Sequence, residues 1–447
     1  MNSIWSDTVS LPAFEPLGRD IKTDVLIIGG GIAGILSAFM LEEAGVDYVL
    51  VEADRILSGI TKNTTAKLTV QHGLIYQGLV KRFGKERAKM YLKANEDALN
   101  EYRSLCQLMD CEFEEKDNYI YSLSDRGKLE REVRAIKQLG YSAEYVSDLP
   151  LPFATAGAVM VSGQAQFHPL KFLAEIAEDI RIYEHTKVQE LEQSTSGIVA
   201  VTVHGIITAD KVIVATHFPF INKHGSYFLK MYQDRSYVIG IEGALKGNGG
   251  KGSSILNGMY LDEAQKGLSF RTYGDYLLLG GGSHRTGKQG SAWTELEAAA
   301  LRYYPKCKVN YRWATQDCMT LDQVPYIGQY SARTPNLYVA TGFNKWGMTS
   351  AMAAAMILKD MVLGRENPYA PVFSPQRSIL RPQLFVNGFE ATVNLLTPTK
   401  KRCPHLGCAL KWNPQEHTWD CPCHGSRFTE RGEVIDNPAT GDIKNKD

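Results

Sequence analysis

The chain has 447 residues, 44% hydrophobic and 22% charged, with a formal net charge of +0. That length exceeds one hydrophobic core and calls for two or more domains, and the balanced charge gives no reason to expect nucleic acid or an anionic membrane surface as partner. No apolar run reaches the roughly 18 residues of a spanning helix, and residues 1–16 lack the basic and apolar regions of a signal peptide, so a soluble cytoplasmic protein is expected.

Taken in chain order, Thr23–Ile28 (TDVLII) is a β-branched run suited to a buried parallel strand. Gly29-Gly30-Gly31-Ile32-Ala33-Gly34 follows, and apolar residues at Ile32, Ile35, Leu36 and Phe39 predict a helix that Gly45 stops. Tyr48–Val51 is the next strand and ends at Glu52, which completes a βαβ unit. Gln77–Leu139 reads as largely helical. Strand-like pieces return at Val199–Val203, Ile206–Thr208 and Val212–Ala215, and Tyr237–Ala244 and Leu268–Gly281 read as antiparallel strands. Leu337–Ala340 is a strand and Thr349–Val362 a helix closed by Gly364. Pro368, Pro371, Pro375 and Pro382 mark a linker. No internal repeat or low-complexity tract is present.

The glycine turn carries the first chemistry. Gly29 permits a tight turn, Gly31 lets a pyrophosphate approach the backbone, and Gly34 allows close helix–strand packing. The helix N-terminus offers free N–H groups to the phosphates, and Glu52 is positioned to accept ribose hydroxyls. The motif by itself does not separate FAD from NAD. FAD is favoured by Asp210–Thr216 (DKVIVAT), which carries Ala215, and by a second glycine-marked helix start, Thr341–Thr349. There Gly342, Lys345, Gly347, Met348 and Thr349 can face a flavin.

With Leu321–Gly328 (LDQVPYIG), these pieces make residues 1 to about 364 resemble the FAD-dependent oxidoreductase family of D-amino acid oxidase, glycine oxidase and sarcosine oxidase. The resemblance implies an α/β protein in which a Rossmann-type FAD-binding domain interleaves with an antiparallel β-sheet substrate domain. It implies hydride removal from a carbon bearing an amine, and it puts Thr64, Thr65, Ala66 and Lys67 near the flavin. The boundaries expected are 20–366 for this module, with nucleotide-binding parts near 20–80, 150–220 and 320–366 and substrate parts near 81–149 and 221–319.

Four of the eight cysteines fall within the last 45 residues, in Cys403-Pro404-His405-Leu406-Gly407-Cys408 and Cys421-Pro422-Cys423-His424-Gly425-Ser426. Two thiols and two imidazoles suit either a tetrahedral zinc site or a Rieske [2Fe–2S] centre, and the additional cysteine beside each pair resembles the Rieske proteins. That resemblance implies Cys403 and Cys421 as thiolate ligands, His405 and His424 as imidazole ligands, and a Cys408–Cys423 disulfide tying the loops together. It implies that Gly407 and Gly425 allow close loop packing and that Ser426 donates to a bridging sulfide. A disulfide is uncommon in the cytosol, so its oxidation in the cell stays open. The expected units are a linker over 367–399 and a shortened, all-β Rieske domain over 400–447, too small to bury its own core. It must lean on the larger module or fold around its cluster.

Five residues are candidates for catalysis. Arg271 can anchor a substrate carboxylate or be an ordinary strand arginine. His284 and Arg285 sit in a glycine-rich turn and meet substrate or merely make the turn. His72 and Trp346 lie near the ring or fill core. Two functions follow. One is a dehydrogenase that takes electrons from an amine or amino acid and relays them through the cluster to an external acceptor or donor protein. The other is a non-enzymatic electron-transfer or redox-sensing protein.

Overall fold

The computed structural model describes residues 3–195, 197–245, 256–288, 290 and 292–444. Three sheets organise them. In the first, strands Ile182–Tyr183, Tyr48–Val51, Ile21–Ile28, Ile206–Val214 and Leu337–Thr341 run parallel in that spatial order. Buried on both faces, these strands are nearly continuous Val, Ile and Leu. Helix Ile32–Glu43 leaves the first strand and packs against helix Gly347–Val362. Gly34 lets this helix sit close against the turn that ends the first strand, since a Cβ there would lie 1.8 Å from the Gly29 carbonyl oxygen.

The second sheet has nine strands. The long antiparallel strands Lys308–Thr320, Met231–Glu242 and Tyr276–Arg285 lead into Ser269–Tyr273, Met259–Asp262, Glu114–Tyr121 and Ala158–Gln166. The third is a four-stranded antiparallel sheet of short strands from Lys411–Asn413 to Val434–Asp436. The fold class is the expected one: a Rossmann-type body, an antiparallel sheet and a small all-β unit.

Several sequence expectations change. Gln77–Leu139 is interrupted by strand Glu114–Tyr121, whose charged start hid its buried half, Asn118, Ile120 and Tyr121. Strand Ala158–Gln166, expected within a nucleotide-binding stretch, pairs instead in the second sheet. Leu268–Gly281 is, as expected, antiparallel strand with a glycine turn, here at Gly274. The proline-marked stretch contains helices Ala370–Phe373 and Pro382–Leu396, with proline in the first turn of both. There its missing N–H would have no partner anyway, so proline starts these helices rather than breaking them.

Candidate functional site

A cavity of about 1330 Å³ runs between the two large sheets. That exceeds what one drug-sized ligand fills, so a dinucleotide and a substrate fit together. One end is the glycine turn. Gly29, Gly31 and Glu52 line it, and Glu52 is held by the Gly30 N–H at 2.6 Å and the Asp54 N–H at 3.0 Å. Burial raises the Glu52 carboxyl, and these N–H groups oppose the rise. Ala215, Thr64, Thr65, Lys67, Lys345, Trp346, Gly347 and Met348 line the same space. Gly34, Ala66, Gly342 and Thr349 do not. They shape the wall from behind: Gly342 has φ +73° with Thr320 pressed against it, and Ala66 has φ +52°.

His72 also lines the cavity but is fully bonded. Its Nε2 meets the Thr69 carbonyl at 2.9 Å and the Thr349 hydroxyl at 3.0 Å, and its Nδ1 meets the Tyr91 hydroxyl at 2.6 Å. Trp346 stacks on it at 5.0 Å. Burial pulls the His72 imidazole down to about 3, so it is a neutral, fixed wall.

Lys67 differs. Its Nζ makes one long hydrogen bond, 3.4 Å to the Tyr260 carbonyl. Among the described residues no carboxylate lies within ion-pair distance of it, and it is 9% exposed. Burial, with the Arg271 charge adding to it, lowers this amine from 10.5 to about 7.

The cavity floor holds residues that the sequence reading missed. Asp234 and Asp317 are cross-strand partners. Asp234 binds Lys345 at 3.1 Å and the Ser283 hydroxyl at 2.9 Å, and its other oxygen has no partner. Burial lifts Asp317 to about 6, and Asp234 adds to the rise while Lys345 opposes it. The available signal was a charged residue inside a run of strand residues, at Asp234 in MYQDRSYVIGIE. His217, given no role from sequence, also lines the cavity with a buried, unpartnered Nε2.

Three catalytic expectations are redirected. Arg271 is buried, and its guanidinium donates to the carbonyls of Thr65, Ala66 (2.8 Å) and Phe167 (3.1 Å) while covering Trp5. It braces the Thr64–Lys67 segment and has no free edge for a carboxylate. His284 stacks on Tyr237 outside the cavity lining. Arg285 holds the C-terminal unit: it donates to the carbonyls of Pro422 (2.9 Å) and Cys423 (3.1 Å) and to Asn387 Oδ1 (3.0 Å).

The cluster loops share one pattern. The Gly407 N–H donates to the Cys403 carbonyl and the Gly425 N–H to the Cys421 carbonyl, each at 2.9 Å. Cys408 and Cys423 form a disulfide, while Cys403 and Cys421 are free and buried. Cys421 Sγ lies within 4.8 Å of both disulfide sulfurs, but those are bonded to each other and are not available as ligands. The rings of His405 and His424 are 5.0 Å apart, and both Nδ1 atoms are buried without a partner. The two loops thus carry two free thiols and two orphaned imidazole nitrogens, which is the donor set that a His/Cys-ligated [2Fe–2S] cluster requires. Ser426 Oγ accepts from the Ala439 N–H at 2.9 Å, so its own proton remains available to donate.

The small unit leans on the large one. Gln233 donates to the carbonyls of His424 (2.7 Å) and Asn437 (3.1 Å), and Gln316 to that of Gly425 (2.8 Å). Arg235 forms a buried ion pair with Glu416. Gly425 has φ +85°, and a Cβ there would lie 2.5 Å from Gln233, so only glycine permits this approach. Asp436, Asn437, Ala439 and Thr440 of the small unit also line the cavity; Asn437 donates to the carbonyls of Thr216 and Phe218 (2.8 Å), and Lys187 donates to that of Thr440.

Comparisons agree with this geometry. The family described as FAD dependent oxidoreductase matches residues 24–361, and the Rieske [2Fe-2S] domain matches residues 391–446. YhfW of Bacillus subtilis, by its name a Rieske 2Fe-2S iron-sulfur protein, is 35% identical over 99% of this chain and 97% of its own. Gamma-glutamylputrescine oxidoreductase of Escherichia coli is 24% identical over 78% of this chain and 86% of its own. The crystal structure of glycine oxidase from Geobacillus kaustophilus superposes with a TM-score of 0.67 and 20% identity, covering 80% of this chain and 99% of that one.

Proposed function

Because this chain belongs to the FAD-dependent oxidoreductase family and ends in a Rieske [2Fe–2S] domain, we propose that it dehydrogenates an amine or amino acid and passes the electrons through the cluster to an external acceptor. The observation that carries this reading is one cavity lined both by the glycine turn, at Gly29–Gly31, and by residues of the cluster-bearing unit. Bound in that cavity, FAD supplies a two-electron acceptor, and the cluster supplies a one-electron relay out of it.

The protein's own groups do the rest. Lys67, with an amine near 7 and no counter-ion among the described residues, takes the proton from the substrate ammonium so that the neutral amine is the reacting species. Asp234, Asp317 and Lys345 form a polar floor that orients a cationic substrate group. His72 and Trp346 close one wall and exclude water. Toward the cluster, Phe218 and Phe228 lie 6.3 Å and 6.2 Å from the His424 ring. An apolar closed pocket would have favoured redox sensing, whereas this floor is polar and charged.

The test is anaerobic mixing of the holoprotein with amines and amino acids, read by flavin bleaching and by the EPR signal of the reduced cluster. Both signals should appear with one substrate. Flavin bleaching that leaves the cluster oxidised overturns the relay, and a flavin that no amine or amino acid reduces overturns the substrate class.

A further inference from the structure

Helix Pro382–Leu396 is folded inside out. Its buried side chains are the polar Asn387 and Asn394. Phe385, Phe389, Val393 and Leu396, spaced four, four and three residues apart, face outward, with Phe385 72%, Phe389 69% and Leu396 77% exposed. Half of the large apolar side chains exposed among the described residues lie on 380–396 or on the adjoining Leu406. A surface helix that only covered a core would show the reverse pattern. The inward polar face is not a defect. Asn387 accepts from Arg285, and the Asn394 carbonyl accepts from the Ala409 N–H, so the helix is clamped to the cluster unit in this orientation. Its last turn touches the cluster loop at Leu395 and Gly407.

Charge selects the occupant. Residues 380–402 carry Arg381, Lys400, Lys401 and Arg402 against the single acid Glu390, and Glu390 is neutralised by Lys288 at 2.7 Å. Basic residues therefore bracket both ends of the apolar row. Two copies paired through this face, parallel or antiparallel, would bring basic end against basic end. The outward residues are Phe, Leu and Val, without the Trp, Tyr and Arg anchors that dominate protein–protein hot spots. Fifteen residues give a row of about 22 Å, the form of a helix that lies in a lipid interface.

We propose that this helix seats the protein on an anionic lipid surface, with the Leu406 edge of the cluster loop turned toward the membrane. The chain's net charge of zero concealed this patch, because the balance is global and the bases are local. A membrane-held electron acceptor would then meet the cluster at its His405 side.

The experiment is co-sedimentation of the full-length holoprotein with vesicles of phosphatidylcholine, with and without phosphatidylglycerol, beside light scattering of the protein alone. Binding to the mixed vesicles is expected, weaker by roughly tenfold or more on pure phosphatidylcholine. A Phe385→Ser/Phe389→Ser variant should lose at least tenfold in binding yet keep its flavin absorbance and cluster EPR signal, since both side chains face solvent. No sedimentation with either vesicle overturns the proposal, as does binding that the variant leaves unchanged. A dimer of the native protein that becomes monomeric in the variant also overturns it, because a second copy then covers the face.

Discussion

Replacing Lys67 by Met should make the protein more stable and less active at once. Lys67 has an amine lowered from 10.5 to about 7, so the folded chain binds fewer protons than the unfolded chain between those values. Stability therefore rises with pH across that window. At pH 7 the ammonium is disfavoured by about 4 kcal/mol, a cost that Met does not bear, so the unfolding midpoint should rise near neutral pH. The effect on chemistry has the opposite sign. At pH 8 the native lysine is roughly 0.9 neutral and able to take a proton, while a free amine of pKa about 10.4 is roughly 0.004 neutral. Losing the base should slow flavin reduction by roughly 100-fold or more at that pH, the usual contribution of a positioned base. Stopped-flow reduction across pH 6–10 reads both forms. Native protein should level off above about pH 7, and Lys67→Met should climb tenfold per pH unit toward the pKa of the substrate amine. Parallel profiles, with only the amplitude changed, would refute the assignment and leave Lys67 as a packing residue.

Other outcomes follow from the same structure. Burial alone would raise Glu416, but the Arg235 and Arg427 guanidiniums hold it down from 4.5 to about 2. Its stabilising contribution, about 3 kcal/mol shared between Arg235 across the interface and Arg427 within the small unit, is fully present above pH 4.5 and lost as pH falls toward 2; hydrogen exchange of the cluster unit over that range should track it. Gly425→Ala should displace the cluster loop from Gln233, because a Cβ meets that side chain at 2.5 Å; slower electron arrival at the cluster with unchanged flavin reduction would register this. His424→Ala removes one orphaned Nδ1 and should abolish bound iron while flavin content persists, as metal analysis would read. Arg285→Gln should loosen the C-terminal unit without altering substrate affinity, since the guanidinium contacts Pro422, Cys423 and Asn387; unchanged limited proteolysis of that unit would count against it.

The strongest local signals in the sequence were those with fixed spacing. The Gly29–Gly34 turn, Glu52 and the paired cluster loops place their chemistry through the backbone of a few consecutive residues, and so they survive without tertiary information. The resemblance to the flavin family named the Thr64–Lys67 and Gly342–Thr349 segments as cofactor walls, and they do converge, though only part of each faces the cavity. Arg271 and Arg285 were legible as unusual but not as to role, because an arginine's partner is set by whatever carbonyls come to rest beside it. Helix Pro382–Leu396 was hidden because proline in a first turn looks the same as proline in a linker.

By itself, then, the sequence determined a dinucleotide turn, a paired Cys/His donor set and a βαβ start, since these are written in short-range periodicity and motif spacing, while FAD over NAD and Rieske over zinc came from the family resemblances. Tertiary structure alone decided that Asp234 and Asp317 oppose each other across two strands, that Lys67 is buried with no carboxylate among the described residues within ion-pair distance, and that the small cluster unit lines the same cavity as the glycine turn. Those properties arise from contacts between residues about 80 to 250 positions apart, such as Asp234 with Asp317 and Lys187 with Thr440, whose burial and charge no local pattern encodes.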